Sequence, residues 1–203
     1  MQANVPAVKR LDGKVLEWWL MLLAGMIPLA VLCYDAATEQ LGANPIQALH
    51  IRLGDFALRF LCLSLLLTPL KQICNWRWAL HYRRMIGLYA FFYASLHVLV
   101  YIGLDHGFNW RQIVLDVSES LYVIAGLVAF LCLLPLAITS TQAWQKRLGR
   151  DWKRLHRLTY VAAIAAVTHY FWMLKGNLVE PLFYAVIIGL LLGFRVVKAL
   201  KEK

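Results

Sequence analysis

The sequence predicts an all-α membrane protein, a bundle of six transmembrane helices with both termini in the cytoplasm. Of its 203 residues, 61% are hydrophobic and 16% are charged, against about 45–50% and about 25% in ordinary soluble domains. This composition argues against a water-soluble monomer and excludes a disordered chain, a collagen-like repeat and a disulfide scaffold. The net charge is +10. The basic residues lie between the apolar stretches and not on one polar face, so the charge indicates membrane topology and not nucleic-acid binding.

Six apolar stretches account for the predicted helices. A membrane span needs about 20 mainly apolar residues, with about 17–25 as the range. The fourth stretch contains no charged residue, whereas the second carries Asp55 and Arg59 near one end. The first stretch exceeds the roughly 7–15 apolar residues of a signal peptide, so we expect an uncleaved helix. The predicted spans are residues 18–34, 53–70, 85–104, 121–138, 158–173 and 181–197.

The distribution of charge predicts the orientation of the bundle. Cytoplasmic loops of membrane proteins are enriched in Lys and Arg. With the N-terminus inside, only four of the 21 basic residues fall in outer segments or at outer span ends, namely Arg52, Arg59, Arg111 and Lys175. The acidic residues lean the other way, and the outer ones are Asp35, Glu39, Asp55, Asp105, Asp116, Glu119 and Glu180.

The loops between the spans are short, which predicts that residues 1–203 form a single transmembrane domain. No nucleotide-binding motif, Gly-rich phosphate loop or repeat at a fixed period is recognisable. A flavin or nicotinamide domain, if one is used, therefore has to come from another chain.

Three histidines are candidates for a functional site. His97 lies within the third span, and His156 and His169 lie at opposite ends of the fifth. Polar groups at membrane depth are costly and usually face the bundle interior. Both helices run outward, so His97 and His169 rise about 18 Å and about 20 Å, to comparable levels. Two imidazoles on opposite faces of an iron macrocycle give a six-coordinate haem suited to electron transfer, and the alternative is a histidine that only bonds neighbouring helices.

The inner end of the bundle is less well determined by the sequence. His156 lies near the inner surface without an obvious second ligand, and a 13-residue helical step turns it about 140° from His169. Arg83 and Arg84 stand nearby and could pair with a haem propionate or a flavin phosphate, although plain positive-inside anchoring also explains them. The small residues of 161–167 would leave room for a porphyrin, and they would equally allow tight helix packing.

Short motifs surround these histidines, and one further motif lies in the second span. They are residues 83–88 leading to His97, residues 139–143, Leu148-Gly149, Trp152, Leu155-His156, Tyr160, His169-Tyr170 and residues 65–70. Together they resemble the haem-binding membrane subunits of the periplasmic methionine sulfoxide reductase system, the MsrQ or YedZ family. The similarity covers nearly the whole chain, and that family belongs to the ferric reductase-like transmembrane group.

The resemblance implies an electron-transfer subunit in the bacterial inner membrane that is not itself the substrate-reducing catalytic subunit. It implies b-type haem, one or two per chain, and FMN, with a quinol or a cytoplasmic flavin reductase as donor. The acceptor would be a periplasmic molybdopterin-containing subunit that reduces methionine sulfoxide in oxidised envelope proteins. The family's haem histidines would correspond to His97, His156 and His169, and the cofactor contacts of Arg83 and Arg84 rest on their charge and position and not on the resemblance.

The sequence departs from the family pattern at one position, and it allows two alternative functions. In the oxidase relatives both haem-bearing helices carry two histidines, whereas Arg83 stands where an inner histidine of the third helix is expected. One alternative function is a quinol-linked cytochrome b or a metalloreductase-type membrane core. The other is a small transporter or scaffold whose histidines are protonatable or structural.

Overall fold

The computed structural model describes residues 13–76, 78–174, 176 and 178–201. Within this part of the chain all regular structure is helical and no strand occurs, which confirms the all-α prediction. Lys175, one of the four outer basic residues, lies outside the described residues. The helices are α1 (Gly13–Ala37), α2 (Pro45–Cys74), α3 (Ala79–Val100), α4 (Trp110–Glu119), α5 (Leu121–Ile138), α6 (Gln142–Leu148), α7 (Arg150–Leu155), α8 (Leu158–Met173) and α9 (Val179–Lys201).

Five of the described helical segments are long and apolar enough to cross a membrane. Helix α8 has the predicted bounds but only 16 residues, or about 24 Å, less than the roughly 30 Å of a bilayer core. Each of the six stretches is helical in the structure, while six membrane crossings and the cytoplasmic termini stay predictions. The five segments are Val15–Ala37, Pro45–Cys74, Leu80–Asp105, Leu121–Ile138 and Val179–Lys201.

Helix α2 begins two turns earlier than the apolar stretch predicted. Pro45 occupies the first turn, where its missing N–H costs nothing, and the Asn44 side chain accepts a hydrogen bond from the Gln47 N–H at 3.2 Å. This start places His50 inside the helix and not in a loop, which corrects the sequence-based assignment. Asn75, in a left-handed conformation with φ 55°, ends the helix.

The bundle is built from two closely packed helix pairs. Helix α2 packs along α3, helix α5 packs along α8, and α3 contacts α5 between the pairs. Ala90 of α3 and Ala162 of α8 are fully buried. Small side chains let membrane helices approach closely, so the two pairs form one core with α9 packed on its side.

Two prolines inside helices create contacts that hold α1 and α9 to this core. Pro69 has no N–H, so the Leu65 carbonyl loses its helical partner, and Arg195 of α9 donates to that carbonyl at 2.5 Å. In α1, next to Pro28, the buried Tyr93 hydroxyl of α3 donates to the Gly25 carbonyl at 2.8 Å and accepts from the Leu29 N–H at 3.2 Å, so it is inserted into the helical ladder at this point. Each proline therefore marks a helix-to-helix hydrogen bond.

The chain leaves α3 toward α4 through an unusual turn. Helix α3 continues as a π-helical turn, Tyr101–Asp105. Gly107 and Phe108 then adopt positive φ angles of 53° and 60° and reverse the chain. The Asn109 side chain caps α4 by accepting from the Gln112 N–H at 3.3 Å. This turn brings α4 across the end of the bundle where α2 begins.

The orientation of the bundle can be tested with a reporter enzyme that is active only in the cytoplasm. Fused to the C-terminus it should be active, and inserted at Asn109 it should be inactive, because the basic loops keep both termini inside. The opposite pattern of activity would move His97 and His169 to the inner side of the membrane.

Candidate functional site

The structure brings His97 of α3 and His169 of α8 together between the two helix pairs. Their ring centroids are 6.0 Å apart and their planes make an angle of 84°. A metal ion bonds to an imidazole nitrogen at about 2 Å, and the ring centre lies about 1 Å behind that nitrogen. One iron held between the two rings would therefore separate their centres by about 6 Å. The spacing fits the predicted pair of ligands.

A backbone carbonyl of the neighbouring helix orients each ring. The Nδ1 atom of His97 lies 3.0 Å from the His50 carbonyl oxygen of α2, and that of His169 lies 2.6 Å from the Tyr122 carbonyl oxygen of α5. A carbonyl oxygen can only accept, so the proton of each neutral imidazole is on Nδ1. Nε2 is left with its lone pair, which is the form that ligates a metal.

The two helix pairs use the same construction. In each pair the carbonyl residue and the histidine are 47 positions apart, and a glycine follows the carbonyl residue by one helical turn. A Cβ atom at Gly54 would lie 3.4 Å from Nδ1 of His97, and one at Gly126 would lie 2.8 Å from Nδ1 of His169. Gly126 therefore provides the space that lets the His169 ring reach its carbonyl, whereas a Cβ atom at Gly54 would only touch the His97 ring. No repeat was recognised in the sequence, because the shared positions are few and their relation requires the paired helices.

His50 is a site residue that the sequence reasoning missed. Its ring centroid is 5.1 Å from that of His97, and its Nε2 atom is buried without a hydrogen-bond partner among the described residues. The nearest carboxylate oxygen, from Asp105, is 3.6 Å away. The signal that could have found it is the helix start at Asn44-Pro45, which places His50 inside α2 at the level of His97.

His156 lies apart from this pair, in the turn between α7 and α8. The expectation of one straight helix from His156 to His169 is therefore wrong, and the 140° rotation computed on that basis does not apply. The Thr139 hydroxyl donates to the Pro135 carbonyl at 2.6 Å and accepts from Nε2 of His156 at 3.2 Å. The Trp152 ring stacks on the imidazole with a centroid distance of 3.9 Å.

Charge also acts on His156. Burial lowers the pKa of this imidazole below its usual value, and the positive charge of Arg83 lowers the pKa further. The side chain is therefore neutral at pH 7, with its proton on Nε2 toward Thr139. The structure thus brings Arg83 near His156 as predicted, while Arg83 and Arg84 are both exposed.

The number of protein ligands available indicates which kind of metal group the site could hold. Among the residues that the structure describes, no group of three or more His, Cys, Asp or Glu side chains could hold a metal ion. A bare zinc or iron site usually needs three or four protein ligands. A haem iron takes four nitrogens from the macrocycle and needs only two from the protein, which matches a pair such as His97 and His169.

Known proteins resemble this chain over most of its length. A family model described as the ferric reductase like transmembrane component matches residues 53–167. A relative from Xanthomonas euvesicatoria is 42% identical over 190 residues, which cover 91% of this chain and 87% of the relative. One from Rhodospirillum rubrum is 45% identical over 184 residues, with coverages of 90% and 88%. Both are named protein-methionine-sulfoxide reductase heme-binding subunit MsrQ. No solved structure gives a significant match.

The glycines beside the site histidines provide a test of the geometry. Alanine at Gly126 would put a methyl group 2.8 Å from Nδ1 of His169, so the ring would have to move away from its carbonyl. Loss of such a supporting hydrogen bond weakens metal binding by roughly 10- to 100-fold. We expect Gly126→Ala to lower haem affinity by that factor in a titration of the haem-free protein.

Two other glycines serve as controls for this substitution. Gly54→Ala meets His97 only in van der Waals contact at 3.4 Å, and Gly189→Ala meets nothing within 4 Å. Both variants should bind haem almost as the unmodified protein does. Equal haem affinity in all three variants would show that the hydrogen bond from His169 to the Tyr122 carbonyl does not support a haem ligand.

Proposed function

Because the chain belongs to the ferric reductase-like transmembrane family, and within it to the family of the MsrQ subunits, we propose that it is a haem-binding subunit that delivers electrons to a methionine sulfoxide reductase. The observation that carries this proposal is the pair His97 and His169, with ring centres 6.0 Å apart and both Nδ1 atoms held by carbonyls. On this proposal residues 1–203 act as one transmembrane domain.

The residues at the site fit a b-type haem. His97 and His169 would supply the two axial nitrogens, and the carbonyls of His50 and Tyr122 would keep both rings in position. Bound there, the haem would supply a one-electron iron couple with no open coordination position for a substrate. Fixed ligand orientation keeps reorganisation small in both oxidation states, which favours electron transfer over reaction chemistry.

We propose a periplasmic molybdopterin-containing subunit as the electron acceptor. His97 and His169 lie toward the helix ends that the charge distribution predicts to face outward. The names of the relatives support a partner that reduces methionine sulfoxide in proteins. On this proposal the chain would lie in the bacterial inner membrane and serve the repair of oxidised envelope proteins.

We propose that electrons come from a quinol or from a reduced flavin, with FMN as a second cofactor. The inner cluster of His156, Thr139 and Trp152, with Arg83 and Arg84 nearby, would serve the donor side, because fixed positive charge can hold a flavin phosphate. A second haem at His156 is less well supported, since its Nε2 atom already bonds Thr139 at 3.2 Å. His156 would have to release that bond before it could ligate iron.

The ligand assignment is tested by removing each histidine of the pair. We expect His97→Ala and His169→Ala each to abolish the low-spin haem spectrum, because iron would keep a single protein ligand in an apolar site. Haem per protein is measured by pyridine haemochrome assay after haem-replete expression.

Two substitutions serve as controls for the loss of haem. His106→Ala removes a histidine outside the pair, and His50→Ala keeps the backbone carbonyl that orients His97, so both should retain haem near the unmodified level. Full haem retention in both His97→Ala and His169→Ala would contradict the assignment of these two histidines as iron ligands. An unmodified protein without a Soret band would instead favour the transporter or scaffold function.

The donor side is tested at His156. We expect His156→Ala to slow haem reduction by reduced FMN much more than reduction by dithionite, because the small reductant does not need the inner cluster. Arg83→Gln should weaken flavin retention, since it removes a fixed positive charge. Stopped-flow rates equal to those of the unmodified protein, with equal haem and flavin content, would make His156 only a helix-end histidine.

A further inference from the structure

We infer that the outer end of the bundle carries a docking site for an electron-accepting protein with a basic surface, built on α4 and His106. The inference rests on the proposed function, because the acceptor in the cell would be the periplasmic reductase subunit. It adds the place where that partner binds and the charge by which the partner is recognised.

An open pocket of about 660 Å³ lies along α4. Gln112, Leu115, Asp116 and Glu119 line it, and these positions follow the spacing of a single helix face. His106 closes the pocket on the side of the π-helical turn. The pocket therefore lies where the turn after α3 meets the polar face of α4.

A series of rings joins this pocket to the proposed haem ligands. The His50 ring lies 5.1 Å from His97, the Tyr101 ring lies 6.4 Å from His50, and the His106 ring lies 4.4 Å from Tyr101, all between centroids. Electron transfer slows steeply with distance, so an acceptor is served best at the surface nearest the haem. His106, which lines the pocket, brings this series of rings to that surface.

The pocket is lined by two carboxylates of α4, and Asp116, one of them, accepts hydrogen bonds from the Tyr101 hydroxyl at 2.7 Å and the Ser120 hydroxyl at 2.9 Å. Asp116 and Glu119 stand in the last turn of the helix, where the helix dipole disfavours negative charge. Asp105 lies beside His106 at 4.0 Å, and Arg111 is the one Lys or Arg that lines the pocket. The surface over the ring series therefore carries a net negative charge.

Two other outer carboxylates are each paired with an arginine. Asp35 pairs with Arg52, and Asp55 pairs with Arg59 at 3.1 Å. The concentration of negative charge at the pocket therefore distinguishes it from these neutralised pairs. A basic protein would be drawn to this site, whereas the anionic headgroups of a lipid surface would be repelled.

The complex expected here is a transient one. Electron-transfer partners commonly meet through small interfaces, and charge raises their rate of encounter. In each encounter a haem held by His97 and His169 would supply one electron, its iron changing from ferrous to ferric, and the acceptor would be reduced by one electron. No bond forms or breaks and no proton moves in this step.

The test uses the full chain in nanodiscs of zwitterionic phosphatidylcholine, with cytochrome c as the basic probe. Glu119→Lys reverses one charge at the pocket rim, and a lysine there suits the helix C-terminus, so the fold should persist. Glu39→Lys makes the same charge change on an exposed residue between α1 and α2. Binding is measured by surface plasmon resonance over a range of salt concentrations, with empty nanodiscs as background.

We expect Glu119→Lys to weaken cytochrome c binding roughly threefold or more at low salt, and Glu39→Lys to change it much less. The difference should vanish at high salt and should persist in haem-free His97→Ala protein. Oxidation of the ferrous protein by cytochrome c should also slow in Glu119→Lys, while oxidation by ferricyanide, an anion, should not slow.

Equal effects of the two charge reversals, or binding to the unmodified protein no stronger than to empty nanodiscs, would overturn the docking site. Because binding is measured with and without haem, this outcome is distinct from a failure of the proposed function. A failure of the proposed function would show as an absence of haem while the charge-dependent binding remained.

Discussion

The rest of the structure depends on one hydrogen bond made twice, from a buried imidazole to a backbone carbonyl of the adjacent helix. A carbonyl oxygen has two lone pairs, so it can keep its helical partner and accept Nδ1–H of His97 or His169 as well. The residue one turn later is glycine in both pairs, and at Gly126 a Cβ atom would lie 2.8 Å from the His169 ring and would push it away. This requirement sets the spacing within each helix pair and brings the two rings to 6.0 Å.

The same need to satisfy backbone carbonyls explains how α1 and α9 attach to the two central helix pairs. In an apolar medium a carbonyl freed by proline is costly unless a neighbouring helix supplies a donor. Arg195 supplies it to Leu65. Next to Pro28, the Tyr93 hydroxyl donates to the Gly25 carbonyl and accepts from the Leu29 N–H. Arg195 is a charged residue within α9, and its donation to backbone carbonyls accounts for its presence there.

Much of this arrangement follows from the sequence, because helical rise is constant and charge marks the loops. The bounds of α5 and α8 and the common level of His97 and His169 were predicted in this way. The start of α2 was missed because its first turns contain Gln47 and Arg52 and are not apolar. The role of His50 was missed with it. The hydrogen bonds from His97 and His169 to backbone carbonyls depend on contacts between helices distant in sequence, which no local pattern encodes.

The two ends of the bundle hold histidine in opposite tautomers and carry different surface charges. At the outer pair Nδ1 carries the proton and Nε2 faces a possible metal, whereas at His156 Nε2 bonds Thr139. Arg83 adds positive charge at the inner end, while Asp116 and Glu119 add negative charge beyond the outer pair. An anionic donor is attracted to the first surface and a basic acceptor to the second. On the proposed function, these opposite charges would steer a donor to one end of the bundle and an acceptor to the other end.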